Sequence, residues 1–164
     1  RILNALSSGS QDSNQVSHQD FQPLDNEAQY TGEQIAEKLN YVKSLGHASA
    51  DSRRLEKLKS YISVTHFPNG GAGVEAILNS FDYNSHKVTA AEVITSAGRL
   101  KLLNQQVIRI LSDVKGDCTR MTFAKLLVPH VVDLNVMNID GIVGTFEYPI
   151  HRQEIADICS NLLL

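Results

Sequence analysis

The sequence has no tryptophan, two cysteines, four prolines and only 6% aromatic residues in 164. A core with so few rings must be filled by Leu, Ile, Val and Ala, which suits packed helices. Cys118 and Cys159 lie far apart and form neither CxxC nor a paired histidine spacing, which speaks against a zinc site. Their number leaves open both a disulfide and two buried thiols, and with them the compartment. No Asn-x-Ser/Thr acceptor occurs. The longest apolar runs are short. Residues 124–132 are interrupted by Lys125, Pro129 and His130, far from the ~20 apolar residues of a membrane span.

Charge is equally unremarkable, at −3 with a pI near 6.1. A nucleic-acid binder carries a basic stripe and a high pI, so nucleic acid is not expected as a partner. The short basic cluster Arg53, Arg54, Lys57 and Lys59 is read as one solvated helix face. No G-x-S-x-G, P-loop or G-x-G-x-x-G is present, and Gly70, Gly71 and Gly73 follow no strand pattern that would make a phosphate cradle. The chain starts at Arg1 and is expected to be a piece of a longer protein.

What is present is periodicity. Residues 1–30 are polar, rich in Ser, Gln, Asn and Asp, and too poor in apolar anchors to offset their ordering entropy; they are expected to be a flexible segment. From Thr31 onward the pattern turns helical. Thr31 and Gln34 have capping-box spacing, and Ile35, Leu39, Val42 and Leu45 follow at helical intervals up to Gly46. A second helix after Asp51 aligns Leu55, Leu58, Tyr61 and Ile62, and Pro68-Asn69-Gly70-Gly71 is expected to end it as a loop.

Beyond that point the chain resembles itself. ILNSFDYNSHKVTAAEVI (77–94) aligns without a gap to IVGTFEYPIHRQEIADIC (142–159). Five positions are identical: Ile77 with Ile142, Phe81 with Phe146, Tyr83 with Tyr148, His86 with His151 and Ala91 with Ala156. Ordinary amino-acid usage gives roughly one identity in such a window. ILSDVKGDCTRMTFAKLL (110–127) lies between them, sharing Ile110, Leu111, Thr122 and Ala124 with the first copy and placing Arg120 opposite Lys87. A weaker copy precedes them, with Arg54-Leu55 opposite Lys87-Val88. The spacing, about 33 residues, is that of stacked helical hairpins. The expected fold is therefore all-α, a compact array of three to four hairpins over 31–164. Its repeats lie near 74–97, 105–131 and 138–163, with capping helices in 32–62. In each unit a first helix ends at Phe81, Val114 or Phe146. A second opens near Asn84 or Ser85, at Asp117, or at Pro149. In the first unit that second helix buries Val88, Ala91 and Ile94.

These units resemble a family catalogued as a domain of unknown function and found in bacterial and animal proteins. Its pattern is a helix ending in Phe, a short acidic or polar turn, a basic residue, and a second helix leading into a Val-Val-Asp-like segment. Here it reads Phe81-Asp82 with Lys87, Arg120 leading to Val131-Val132-Asp133, and Phe146-Glu147 with Arg152, over about 74–163. The middle unit departs most, with Val114 for Phe and Gly116 for Tyr. The resemblance implies a helical fold and brings no catalytic residues, so no site residue is carried over.

The constellations that invite chemistry are few. Asn138, Asp140, Gly141, Val143 and Glu147 fit the third, fifth, sixth, eighth and twelfth places of an EF-hand loop, but Val136 stands where the first Asp belongs. A helix-start cluster is the expectation. His86 and His151 each follow a tyrosine by three residues and are expected to bond a turn or pack on that ring, although histidine also permits pH sensing. Cys118 is placed in a turn beside Asp117, and Cys159 takes the buried position of Ile94. Glu154 and Asp157 fit an exposed face. No catalytic, cofactor-binding or metal residue is singled out, and no cofactor is expected. The expected function is a non-enzymatic helical protein–protein interaction module; the alternative is a ligand- or calcium-responsive regulatory domain with degenerate EF-like hairpins. The apolar edge Leu162-Leu163-Leu164 is expected to pack back on the body, meet a second chain or run on into further sequence.

Overall fold

The computed structural model describes residues 30–44 and 50–164. The polar segment expected before residue 30 and the helix stop expected at Gly46 lie outside the described residues. Within them the chain is all-helical apart from two short parallel strand contacts.

Eight helices of five or more residues are described: α1 (Gly32–Ser44), α2 (Ala50–Tyr61), α3 (Val74–Asn79), α4 (Asn84–Ser96), α5 (Asn104–Asp113), α6 (Asp117–Leu127), α7 (Ile139–Val143) and α8 (Pro149–Leu162). Each forms for a local reason. At the start of α1 the Thr31 N–H donates to Gln34 Oε1 at 2.9 Å and the Gln34 N–H donates to Thr31 Oγ1 at 3.2 Å, the expected capping box. Helix α5 opens with one half of that device, the Leu103 N–H donating to Gln106 Oε1 at 3.0 Å. Pro149 opens α8, where its missing N–H costs nothing. The inward faces keep helical spacing: Ile35 and Leu39 on α1, Ala90, Ala91 and Ile94 on α4, Val107, Ile110 and Leu111 on α5. Phe81, Val114 and Phe146, which follow the ends of α3, α5 and α7, are all buried. Burying each such side chain stabilises the fold by about 1.5–3 kcal/mol.

The helices pack in pairs, α1 on α2, α3 on α4, α5 on α6 and α7 on α8. The second members form one continuous layer, α2 on α4, α4 on α6 and α6 on α8. In the other layer α1 packs on α3 and α5 on α7, while α3 and α5 are not closely packed. Parallel pairing of Tyr30–Thr31 with Thr65–His66 ties the entry of α1 to the exit of α2. A parallel bridge between Leu102 and Val131 does the same for α5 and α6. The three spans 74–97, 105–131 and 138–163 thus contain the pairs α3–α4, α5–α6 and α7–α8.

Four expectations need correction. Pro68–Gly71 is a helical turn rather than a loop, because Pro68 presets φ for its first position and Gly70 and Gly71, at φ 71° and 99°, let the chain leave it. Val88 is only half-buried; Ala90 takes its place in the core, one residue off the expected stripe. Cys118 lies in the first turn of α6 and is exposed. Arg54, read as part of a solvated basic face, is fully buried.

One glycine sets the distance between α1 and α3. Gly73, at φ 93°, has space for no side chain: a Cβ there would stand 2.3 Å from the Gly32 carbonyl carbon and 2.4 Å from the Glu33 nitrogen. Gly98, at φ 73°, has nothing within 4 Å. Gly98→Ala should therefore cost only the left-handed backbone penalty of about 1–2 kcal/mol. Gly73→Ala should cost more, since backbone must also move. Urea unfolding of the two variants checks the order, and equal losses would contradict it.

Candidate functional site

Two buried carboxylates organise the second layer. Asp51 and Asp117 sit in the first turns of α2 and α6, and each reaches the start of the next helix in that layer. Asp117 accepts the Glu147 N–H at 3.0 and 3.1 Å and the Tyr148 N–H at 2.8 Å. Asp51 accepts the Asp82 N–H at 3.0 Å on both oxygens and the Tyr83 N–H at 2.9 Å. Tyr83 and Tyr148 hold the capping positions of α4 and α8 yet supply no capping side chain. The cap comes instead from a carboxylate more than thirty residues earlier, and the helix dipole favours negative charge at that place.

Each Asp is paired with an Arg one turn on. Arg120 Nη1 donates to Asp117 at 2.5 Å, Nε to the Leu111 carbonyl at 3.0 Å and Nη2 to the Val114 carbonyl at 2.6 Å. The guanidinium thereby satisfies the carbonyls at the end of α5 and lies 5.7 Å from the Phe146 ring centre. Arg54 pairs with Asp51 and, at 3.3 Å, with Asp82. His151 Nδ1 stands 3.1 Å from Asp117 and His86 Nδ1 3.4 Å from Asp51. Each histidine ring also lies 6.1 Å from the tyrosine three residues before it. His151 thus bonds the carboxylate that caps its helix and lies near its tyrosine, whereas His86 lies near its tyrosine and its buried Nδ1 makes no hydrogen bond among the described residues. Burial pushes the Asp117 carboxyl pKa up. The Glu147 and Tyr148 N–H groups, the His151 ring and the Arg120 guanidinium outweigh it and hold the group below the usual carboxylate value.

The remaining sequence candidates fall into structural places. Asn138 Oδ1 accepts the Asn135 N–H at 2.8 Å and its Nδ2 donates to the Asp133 carbonyl at 2.8 Å, so its side chain is spent within the loop. The Glu147 N–H belongs to the Asp117 cluster. Among the described residues no group of three or more His, Cys, Asp and Glu is arranged to hold a metal ion. Val131-Val132-Asp133 has a definite task. Val131 forms the bridge to Leu102, the Val132 N–H donates to the Leu102 carbonyl at 2.9 Å, and Asp133 accepts the Asn104 N–H at 2.7 Å at the start of α5. Cys159 is buried, and burial pushes its thiol pKa up, which disfavours the thiolate. Glu154 is exposed and meets Lys125 at 2.8 Å.

One open surface feature is a hollow of about 450 Å³ between Lys59, Ile62, Thr89 and Val93; another is the seam between α3 and α5. It holds a hollow of about 330 Å³, within the range of ligand sites. Its polar lining includes Glu33, Glu75, Asn79 and Arg109. A narrower hollow of about 30 Å³ continues it toward Asn84 and Lys87, sharing Glu75, Asn79 and Ile110. Arg109 Nε stands 3.3 Å from Glu75 across the seam. Sequence reasoning singled out neither these residues nor the two Asp–Arg pairs as a site. The pairs could have been noticed from the Asp-x-x-Arg spacing common to 51–54 and 117–120; the seam has no sequence signal.

The fold and these clusters define an all-helical domain pinned by charged helix caps. The family described as domain of unknown function (DUF4476) matches residues 74–159, more than half of the chain, and the chain belongs to that family. No curated protein and no solved structure matches it. The Asp117 cluster lies wholly inside the matched span, whereas Asp51 and Arg54 lie before it. No helix among the described residues is long and apolar enough to cross a membrane.

The depressed Asp117 pKa fixes the sign of a pH effect. The group is more acidic folded than unfolded, so its stabilisation is present above the ordinary value of 3.8 and is lost as pH falls through the lower folded value. Asp117→Asn should flatten that acid limb and cost about 3–5 kcal/mol at neutral pH, because Arg120 stays buried without its anion. Urea titrations from neutral to strongly acid pH test both. An unchanged acid limb would show that Asp117 does not carry it.

Proposed function

We propose that the chain is a non-enzymatic helical-hairpin repeat module that mediates contact with another protein. It uses a unit of about 33 residues four times, with α1–α2 as a full member rather than a separate cap. What supports four units is the recurrence of contacts. Asp51, paired with Arg54, caps the start of α4 as Asp117, paired with Arg120, caps the start of α8. Stacked hairpins share one core and offer grooved surfaces between units.

The observation that carries the interaction reading is the seam. It is a groove that displays the exposed Asn79 and Asn84 together with the Arg109–Glu75 pair. A photo-crosslinking residue at Ala76 or Asn79 should yield adducts with one specific protein in an extract of the source cells. The same residue at Ser160, an exposed position on α8, should not. Turnover of a substrate, with no adduct from the seam, would sink the reading.

The exposed edge at Leu162, Leu163 and Leu164, of which Leu164 is fully solvated, belongs to the same proposal as a self-association surface. Sedimentation should show a concentration-dependent dimer that Leu162→Asp with Leu164→Asp abolishes. A monomer at every concentration removes this part.

A further inference from the structure

We propose that the chain is hinged in its middle. Helices α1–α4 and α5–α8 form two lobes that splay apart at the end where α4 and α6 begin and stay joined at the end where those helices finish. The inference does not depend on the interaction-module reading; it concerns how the seam opens.

The lobes are two copies of one arrangement. Gln34 Oε1 accepts the Thr31 N–H at the start of α1, and Gln106 Oε1 accepts the Leu103 N–H at the start of α5. Tyr30–Thr31 pairs with Thr65–His66 beside α1 and α2, and Leu102 pairs with Val131 beside α5 and α6. Asp51 reaches from α2 to the start of α4, and Asp117 from α6 to the start of α8. Each carboxylate therefore fastens helices of its own lobe. Asn84 or Ser85 stands on α4 where Asp51 and Asp117 stand on α2 and α6, and neither carries a charge that could fasten the start of α6.

Contact between the lobes is uneven. In the second layer α4 packs on α6, and one apolar core runs through that contact. In the first layer α3 and α5 are not closely packed. The joined end is held by main chain. There the Leu103 N–H donates to the Gly70 carbonyl at 3.2 Å. Gly70 and Gly71 lie so close beneath Leu103 and Leu102 that a Cβ on either would stand 2.5 or 2.4 Å from those side chains. At the other end, hollows lie on both sides of the α4–α6 contact. One, of about 30 Å³, is walled by Asn84, Val114 and Phe123. The other, of about 280 Å³, is walled by Ser85, Cys118 and Thr122. Between them and the joined end, the Arg109–Glu75 pair crosses the seam at 3.3 Å, partly exposed, where an ion pair holds little. The hollow between α2 and α4 lies inside the first lobe, where Asp51 spans the same two helices. Two bodies held along one edge and loose along the other rock about the held edge, and a contact no wider than one helix pair permits it.

Pulsed dipolar electron resonance on the full chain reads this motion. Labels on the native Cys118 and on Ser52→Cys report the splaying end; both residues are exposed, and their helices lie two spacings apart, about 16–20 Å. Labels on Ser60→Cys and Lys125→Cys, with Cys118→Ser, report the joined end. The splaying end should show a second population more than about 2 Å longer than the main one, and the joined end should not. Glu75→Lys sets like charges across the seam. It should raise the longer population about two- to fivefold and leave the joined end unchanged. Unchanged thermal unfolding confirms that the variants fold. Equally narrow distributions at both ends describe one rigid body and overturn the proposal. Equally broad ones describe a contact that is loose throughout, with no pivot, and overturn it as well. If Glu75→Lys leaves the longer population where it was, the seam has no part in the motion and the hinge as placed here falls.

Discussion

A carboxylate buried where two helices begin is the contact on which the rest of the fold depends. Asp117 stands in the first turn of α6 and receives the first free N–H groups of α8. Arg120 neutralises it from the same helix and spends its other nitrogens on the carbonyls that end α5. Three helix ends therefore meet at one ion pair. Helix ends carry unsatisfied donors and acceptors, and burying them without partners costs several kcal/mol in sum. The Asp–Arg pair meets that requirement for both polarities at once. The ion pair itself need not add net stability, because desolvating two charges is expensive. What it does is make one arrangement of helix ends far better than any other.

Asp51 caps α4 in the same way, although among the described residues Arg54 spends only its Nη1, on Asp51 and Asp82; the two carboxylates explain why Tyr83 and Tyr148 can occupy capping positions for which tyrosine is unsuited. Freed from the core, those rings lie beside His86 and His151 at the surface. The layer that contains the two clusters is closely packed from α2 to α8. In the other layer α3 falls short of α5 and the seam opens.

Much of this was legible in the residues. The capping box at Thr31 and Gln34, the proline at the start of α8, and the buried Phe81, Val114 and Phe146 are local signals read over a few positions. The places of Cys159 and of the histidines beside their tyrosines followed from aligning the chain with itself. Arg54 was misread because a basic residue among Arg53, Lys57 and Lys59 looks solvated when counted by composition. Its burial depends on Asp51, a partner one turn away, and on the Asp82 carboxylate, 28 residues on. The turn at Pro68–Gly71 was misread because proline and glycine mark both loops and helix starts, and only the φ angles separate the two.

The sequence by itself therefore determined the helical class, most helix starts and the apolar faces, since these are set by contacts within four residues and by the 3.6-residue period. Tertiary structure alone decided which carboxylate caps which helix, that two arginines are internal, and that α3 leaves a groove beside α5. Those outcomes arise from groups that meet across tens of residues, where no local pattern constrains the pairing and only the packing of the pairs brings the partners together.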